Sequence, residues 1–250
     1  MITTLFYIIY MSFVLPEDSL LLPTACATIG HSPQRYYGLL YCAPFTGNTI
    51  YLISADGVIN AELFTDDVRE RIVSFAVTPF AFFVNNGRTI VRYFRSTMEP
   101  LEVIHASTIT SFAITRSEEI VYVNPRERTV HFLDYTGQEK NRLEDIVVRD
   151  MAATDTVLYM LTPSHLVLYD GYGNEIEKQP HDGSFNGLHV QDDRVYLFTR
   201  GQQILYVLSG KKRKMYTLPI TIQEIAGVEP YIYALDERGT VLYRFASTDF

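Results

Sequence analysis

The sequence is poor in the residues and motifs that define several protein classes. It has no tryptophan and only two cysteines, Cys26 and Cys42, which are too few for the disulfide framework of a small secreted domain. A glycine-rich phosphate loop, a nucleophile elbow and a Cys-x-x-Cys pair are also missing, so no catalytic motif can be assembled from spacing alone. Nothing in the sequence brings the two cysteines together, and we expect both to be small buried thiols.

Positive charge is also scarce. The 250 residues carry a net charge of −8, and 47% of them are hydrophobic. This composition is typical of a globular protein. It argues against general binding to nucleic acids or to anionic membranes, because both need a broad positive field.

Long apolar runs are missing as well. The first fifteen residues carry no charge, but a membrane-spanning helix needs roughly 20 apolar residues. The segment also lacks the basic start and the small-residue cleavage site of a signal peptide. Its Tyr, Ile, Phe and Val content favours a strand. We therefore expect no membrane span and a cytoplasmic protein, with export left open by the apolar start.

What the sequence does contain is a repeat of 37 residues. Steps of this length lead from Tyr122 to Tyr159, Tyr196 and Tyr233. Three further sets of apolar residues keep the same spacing. They are Ile114, Met151, Leu188 and Ile225; Val130, Val167, Ile204 and Val241; and Phe132, Tyr169, Tyr206 and Tyr243. Several positions that hold one period together are the signature of a repeat architecture.

The repeat extends towards the N-terminus. A step of 39 residues leads back from the first complete unit to Phe75, Phe83 and Val91. A looser match at Tyr41 and Tyr51 fills the same strand positions. We therefore count six units between about residues 22 and 250.

Each unit has the pattern of short strands separated by turns. Turn residues such as Asn124–Pro125 and Thr162–Pro163 separate apolar segments, and no window keeps a helical period. The segment Ile120–Val123 is apolar on both faces, which is typical of a sheet packed between other sheets. The sequence thus predicts an all-β protein, a six-bladed β-propeller of four-stranded antiparallel blades. The blade boundaries are expected near Phe75, Ile114, Met151, Leu188 and Ile225.

The N-terminus is predicted to close the ring of blades. The last unit ends just after its third strand, at Phe245–Ser247, and so lacks an outer strand. Met11–Pro16 resembles Met215–Pro219, which occupies the outer-strand position of the fifth unit. Residues 1–20 are therefore expected to supply the closing strand, which removes exposed edges. The whole chain, 1–250, is predicted to be one domain, with repeats from about residue 22 to 250.

Two of the units resemble the propeller repeats of the NHL and YVTN-type families. The first is Glu119–Val123 followed by Arg128–Gly137, and the second is Val157–Met160 followed by Val167–Gly173. The resemblance covers about Ser74 to Phe245, and it implies a six-bladed propeller at the level of the superfamily. That superfamily includes scaffolds, RNA binders and metal-dependent lyases or lactonases, so the fold alone does not choose a function.

Arginines recur in the turns between the second and third strands of the units. These turns are expected on one rim of the disc, where positive charge on an acidic protein would orient an anionic partner. Glu127 and Glu237 are interleaved with them, and an ordinary solvated loop is the alternative interpretation. The candidate partner-binding residues are Arg88, Arg126, Arg128, Arg200 and Arg238.

Acidic residues recur at the turns between the first and second strands. If their carboxylates converged on the central channel they would suit calcium or zinc, helped by Asp150 and Glu224 from innermost strands. The alternative interpretation is that acids simply suit an exposed hairpin turn. The candidate metal ligands are Glu118, Asp155, Asp192 and Glu229.

These features lead to two hypotheses of different classes. The first is a non-enzymatic β-propeller scaffold, a monomer without a cofactor, that holds a protein partner through one face of the disc. The alternative is a hydrolase or lyase of the lactonase-like kind that depends on calcium or zinc in the channel. The first is favoured, because the six histidines do not converge on a metal site and the acids lie in turns.

Overall fold

The fold is described from a computed structural model. It describes residues 11–22, 24–31, 40–47, 49–53, 59–64, 71–97, 99–115, 118–181, 183–191, 193–210 and 212–250. The regular secondary structure of these residues consists of β-strands and one 3₁₀-helix, Ser247–Asp249. Within these ranges no helix has the length and the apolar character needed to cross a membrane.

Twenty-four strands follow one another along the described chain. The first twelve are β1 Met11–Phe13, β2 Asp18–Leu21, β3 Cys26–His31, β4 Leu40–Pro44, β5 Thr49–Ile53, β6 Ile59–Phe64, β7 Ser74–Val77, β8 Ala81–Asn85, β9 Thr89–Phe94, β10 Pro100–His105, β11 Phe112–Ile114 and β12 Ile120–Asn124. The other twelve are β13 Thr129–Leu133, β14 Glu139–Leu143, β15 Asp150–Ala153, β16 Val157–Leu161, β17 His165–Asp170, β18 Glu175–Pro180, β19 Gly187–Gln191, β20 Arg194–Phe198, β21 Gln202–Ser209, β22 Lys212–Val228, β23 Tyr231–Asp236 and β24 Val241–Ala246.

The described strands form five sheets. Four of them are four-stranded antiparallel meanders, made of β3 to β6, β7 to β10, β11 to β14 and β15 to β18. The fifth has eight strands: β19 to β24 follow one another, β2 pairs with β24, and β1 pairs with β22. The predicted all-β class and the propeller-like blades are therefore confirmed.

The repeated residues occupy the same strand in each unit. Tyr122, Tyr159, Tyr196 and Tyr233 lie in β12, β16, β20 and β23, the second strands of their units, and each is paired with an inner strand. All five residues of β12 are buried, as expected for a strand between two sheets. The periodic tyrosines thus mark equivalent positions in successive units of the structure.

Apolar clusters fill the space between consecutive groups of strands. In one of them, Leu235 and Leu242 from the last strands pack with Cys42 and Ile53 from the first sheet. The inner strands contact one another in chain order, from β3 through β7, β11, β15 and β19 to β22, and β22 also contacts β3. The apolar core therefore runs around a ring and joins the two ends of the described chain.

The number of separate sheets differs from the prediction. The sequence predicts six separate blades, whereas the structure has four four-stranded sheets and one eight-stranded sheet. The physical reason is the length of β22, which has 17 residues. Its first part, Lys212–Thr217, pairs with β21, and its last part, Ile222–Val228, pairs with β23. One continuous strand therefore joins two groups of strands that the repeat pattern separates.

The placement of the N-terminal segment also differs from the prediction. β2, rather than Met11–Pro16, pairs antiparallel with β24. β1 runs parallel to β22, with Met11 opposite Met215. The two segments that look alike in the sequence thus lie side by side, because the outer edge of β22 offers backbone groups to a further strand. Residues 1–10 of the predicted closing segment lie outside the described residues.

The two cysteines are close together, which the sequence does not predict. Cys26 lies in β3 and Cys42 in the neighbouring strand β4, and both are buried, as expected. A hydrogen bond with Cys26, together with burial, raises the pKa of the Cys42 thiol. A buried thiol of this kind is a poor nucleophile, because the thiolate is the reactive form.

Candidate functional site

The antiparallel strands place their turns at two opposite edges of the sheets. We call one edge the arginine face; it carries the turns between second and third strands, at residues 86–88, 125–128, 162–164, 199–201 and 237–240. We call the other edge the acidic face; it carries the turns between first and second strands, at residues 78–80, 118–119, 154–156, 193 and 229–230. The inner strands begin at the arginine face and end at the acidic face.

Four of the five predicted partner-binding arginines are exposed on the arginine face. They are Arg88, Arg126, Arg128 and Arg238. The Arg128 guanidinium donates a hydrogen bond of 3.3 Å to the carbonyl of Asp145, which lies just before the next inner strand. The charges of these side chains are thus presented to solvent at one edge of the molecule.

Asparagine side chains fix two of the arginine turns. Asn86 Oδ1 accepts hydrogen bonds from the N–H groups of Arg88 and Thr89, at 2.9 and 2.7 Å. Asn124 Oδ1 accepts one from the N–H of Arg126 at 3.2 Å. Bonds of this type favour asparagine in tight turns. The backbone that carries each arginine is therefore held in place while the side chain reaches into solvent.

Arg200 is different, because its guanidinium is part of an ion-pair cluster. Its Nη2 lies 3.1 Å from Asp150 Oδ2 and 3.0 Å from Glu224 Oε2. Its Nη1 donates to the carbonyl of Asn186, and the Phe198 ring centre lies 5.7 Å from its Cζ. Two carboxylates thus already compensate the charge of Arg200, which separates it from the four exposed arginines. We call Asp150, Arg200 and Glu224 the inner cluster.

Asp150 connects three inner strands. Its Oδ1 accepts hydrogen bonds from Ser111 Oγ at 3.3 Å and from the N–H of Met151 at 2.9 Å. Its Oδ2 accepts one from the N–H of Leu188 at 3.0 Å. Ser111 directly precedes β11, Asp150 begins β15, and Leu188 lies in β19. With Glu224 in β22, the inner cluster and its partners span four consecutive inner strands at their arginine-face ends.

Burial dominates the ionisation of the inner cluster. Burial raises the pKa of both Asp150 and Glu224, and the Arg200 guanidinium opposes the shift. For Arg200 burial acts against the charge, but Glu224 and Asp150 outweigh it and raise the pKa of the guanidinium. The side chains of Asp150 and Glu224 are 14% and 16% exposed. The cluster is therefore desolvated and still reachable from solvent.

Three of the four predicted metal-ligand acids, Glu118, Asp155 and Glu229, lie on or beside the acidic face. Glu118 accepts a hydrogen bond of 2.7 Å from Thr78 Oγ1 and forms an ion pair with Arg92. Asp155 and Glu229 are exposed in the turns after β15 and β22, and Asp192 is outside the described residues. In the part of the chain that the structure describes, no three His, Cys, Asp or Glu side chains form a group that could hold a metal ion. A calcium or zinc site at these acids stays a prediction.

The structure brings together residues that the sequence pattern assigns to different sites. The pattern predicts Arg200 on a partner-binding rim, and it predicts a supporting role for Asp150 and Glu224 at a metal site. One feature of the sequence does relate the two acids: Asp150 and Glu224 are two repeat periods apart and therefore occupy equivalent positions in innermost strands. No spacing rule shows which turn arginine folds inward, because that depends on Asn186 and Phe198 around it.

Comparisons with known proteins identify the fold. No protein-family model and no curated protein sequence matches the chain. The Neurospora crassa Pan2 WD40 domain is similar over 94% of this chain and 95% of that one, with a TM-score of 0.62 and 10% identity. A streptogramin B lyase is similar over 92% of this chain and 86% of that one, with a TM-score of 0.64 and 11% identity. At such low identity the similarity shows the fold alone.

Proposed function

We propose that the chain is a non-enzymatic β-propeller scaffold that binds a protein partner through its arginine face. The observation that carries the proposal is the exposure of Arg88, Arg126, Arg128 and Arg238 at one edge of the strands, on a protein with a net charge of −8. Arginine is enriched in protein interfaces. Positive charge gathered on one face steers a partner with an acidic surface into the correct orientation.

The hydrogen bonds within the arginine turns support this function. Asn86 and Asn124 hold the backbone of two turns, and the inner cluster ties the inner strands together beneath them. A surface that is ordered before it meets its partner loses less conformational freedom on binding.

The scaffold is proposed to be one domain of six blades with NHL-like repeats, over residues 1–250. In this proposal the eight-stranded sheet is two blades joined through β22. The ring of contacts among the inner strands and the cluster that joins Leu235 and Leu242 to Cys42 support it. The pairing of β2 with β24 supports closure of the ring by an N-terminal strand.

A second candidate function is a hydrolase or lyase. Its supporting observation is that Asp150 and Glu224 are partly buried carboxyl groups with a raised pKa. A general acid needs an environment of this kind. One of the similar structures is a lyase. In the version predicted from the sequence, calcium or zinc in the central channel takes part in the reaction.

Charge reversal tests the proposed interaction face. Changing Arg126, Arg128 and Arg238 together to Glu should reduce capture of protein partners by the immobilised chain at least about tenfold, because the steering field changes sign. The urea midpoint should change little, since all three side chains are exposed. Capture is measured by affinity pull-down with quantitative mass spectrometry.

The matched control reverses three exposed charges elsewhere. Lys212, Arg213 and Lys214 begin β22 at the opposite edge of the sheet and are exposed, and their reversal to Glu should leave capture unchanged. Equal capture by the two triple variants would contradict the arginine face. If the purified chain also contained stoichiometric calcium or zinc and lost stability with a chelator, the hydrolase or lyase would become the better explanation.

A further inference from the structure

The acidic face carries four exposed aromatic side chains on three consecutive sheets. Phe80 lies in the turn between β7 and β8, Phe94 ends β9, and Tyr135 and Tyr172 lie in the turns that follow β13 and β17. The third strand of each of these sheets runs in the same direction as the first, so both strands end at the acidic face. Phe80, Tyr135 and Tyr172 are 66%, 63% and 69% exposed. Exposed apolar surface of this kind, surrounded by polar residues, is typical of an interaction site.

Contacts between neighbouring sheets join these aromatic residues. Arg92 in β9 donates a hydrogen bond of 3.3 Å from Nη1 to the carbonyl of Tyr135, and its Cζ lies 6.0 Å from the centre of the Phe94 ring. Asn141 in β14 donates a hydrogen bond of 2.6 Å from Nδ2 to the carbonyl of Tyr172. Each exposed tyrosine is therefore bonded to the preceding sheet. We call the four residues the aromatic band: Phe80, Phe94, Tyr135 and Tyr172.

Each tyrosine of the band follows an aspartate that begins its turn. Asp134 Oδ1 accepts hydrogen bonds from the N–H and the hydroxyl of Thr136, at 2.8 and 2.6 Å. Asp170 accepts hydrogen bonds from the N–H and the side-chain amide of Asn174, at 2.9 and 2.8 Å. The side-chain hydrogen bonds lower the pKa of both aspartates, so both carry a negative charge at neutral pH. Neither aspartate forms an ion pair with another described residue.

Two rings of the band already contact cations of the chain itself. Lys140 Nζ lies 4.8 Å from the centre of the Tyr172 ring, and Arg92 lies over Phe94. A cation at this distance is attracted by the electron-rich face of an aromatic ring. No cation of the described residues lies over Tyr135 or Phe80. The exposed rings can therefore accept cations that a partner supplies.

The pairing of rings with carboxylates selects among possible partners. A nucleic acid or an anionic membrane is repelled by the charges of Asp134 and Asp170. A guanidinium is planar, stacks on aromatic faces and bonds to carboxylates with two parallel N–H donors. Tyrosine and arginine are also the residue types that contribute most to binding in protein interfaces. The chemistry of the band therefore favours arginine side chains of another protein.

We infer that the aromatic band docks a positively charged, arginine-bearing segment of a partner protein, with guanidinium groups stacked on Tyr135 and Tyr172 beside Asp134 and Asp170. This inference goes beyond the proposed function, which places an acidic partner on the opposite face of the sheets, and it does not depend on it. With both surfaces occupied, the propeller holds two partners of opposite charge on opposite faces. Each partner is repelled from the other's surface, so the two sites do not compete.

A defined peptide tests the aromatic band on the unmodified full chain. Acetylated Arg-Gly-Gly-Arg-Gly-Gly-Arg amide should bind saturably in the sub-millimolar range and shift the amide NMR signals of Thr136 and Asn174, whose N–H groups donate to the two aspartates. The analogue with citrulline in place of arginine has nearly the same shape but no charge, and it should not bind. Equal binding of the two peptides, or no saturable shift with the first, would overturn the inference.

Variants of the two tyrosines locate the binding. Y135A/Y172A should weaken binding of the arginine peptide at least about tenfold. Y135F/Y172F keeps both rings and should retain the affinity, because the rings and not the hydroxyls make the contact. The control is V147A, which shortens an exposed apolar side chain in the loop before β15, at the arginine face. Equal affinity of the folded Y135A/Y172A and V147A variants contradicts the assignment.

Variants of the two aspartates test the contribution of charge. D134N/D170N keeps a side-chain oxygen that accepts the hydrogen bonds of each turn and removes both negative charges. It should weaken binding of the arginine peptide and make the affinity less dependent on salt concentration. Unchanged affinity and unchanged salt dependence in this variant would show that the carboxylates do not select the partner.

The two sets of variants separate this inference from the proposed function. The triple arginine reversal should not weaken binding of the arginine peptide, and Y135A/Y172A should not reduce capture of an acidic partner. Failure of the arginine peptide to bind contradicts the aromatic band and leaves the arginine face untouched. If the unmodified chain associated with itself and Y135A/Y172A abolished that association, the occupant would be a second copy and the inference would be wrong.

Discussion

At the scale of single residues, Gly239 shows how a turn is fixed by a neighbouring sheet. Its φ is +70°, in the left-handed region, and an added Cβ would overlap the carbonyl oxygen of Cys26. The N–H of Cys26 in turn donates a hydrogen bond of 2.7 Å to the Gly239 carbonyl. The last pair of strands and the first sheet thus approach each other backbone to backbone. A residue with a side chain does not fit at this contact.

A pair of glycine substitutions tests this contact. Gly201 also has a positive φ, +79°, but an added Cβ there meets no atom within 4 Å. G201A should cost about 1–2 kcal/mol through backbone strain alone. G239A should cost roughly 2–5 kcal/mol, because the overlap is added to the strain. Urea unfolding followed by circular dichroism measures both, and equal losses would show that the contact with Cys26 does not limit the turn.

At the scale of elements, β2 joins the N-terminal segment to the last strands. It pairs with β24 from Asp18 to Leu21, and the N–H of the next residue, Leu22, donates 2.8 Å to the carbonyl of Thr240. Leu22 is buried in the cluster that contains Leu235, whereas Leu21 is 75% exposed. The end of β2 and the residue after it therefore place an exposed leucine, Leu21, next to a buried one, Leu22.

These two leucines provide a matched test of the strand. L22A should lower the free energy of unfolding by about 2–4 kcal/mol, because it leaves a cavity in a packed cluster. L21A should change it by less than about 0.5 kcal/mol. Both are measured by urea unfolding with tyrosine fluorescence, since the chain has no tryptophan. If L22A were as stable as L21A, the N-terminal strand would not contribute to the core.

At the scale of the whole molecule, two of the outer strands are protected against pairing with another copy. β14 and β18 are the outermost strands of their sheets, and most of their residues are exposed and polar or charged. Charged residues at a sheet edge oppose pairing with another edge. The net charge of −8 adds repulsion between copies.

We therefore expect the chain to be a monomer in solution. Size-exclusion chromatography with light scattering should give a mass close to 28.6 kDa at micromolar concentration and at both low and moderate salt. A concentration-dependent rise to twice this mass would contradict protection of the edges. In that case the interface would have to be found before the arginine face is treated as free.

The sequence by itself determined the repeated strands. Tyr122, Tyr159, Tyr196 and Tyr233 lie in equivalent strands, because the second strand of every unit packs between a first and a third strand, and this shared environment selects similar residue types at the same position. The repeat also predicts the positions of the turns correctly, because Arg88 and Asp155 lie in turns where it places them. These features depend on contacts within one unit, so the local sequence determines them.

Only the tertiary structure decided which distant residues meet. It turned Arg200 towards Asp150 and Glu224 and left Arg126 in solvent, although both are arginines in equivalent turns. It also placed Cys26 beside Cys42 and joined β1 to β22. The physical reason is that these contacts depend on burial and charge contributed by other units. A periodic sequence repeats the same strand and turn patterns in every unit, and these patterns do not specify which residues of another unit a given side chain will contact.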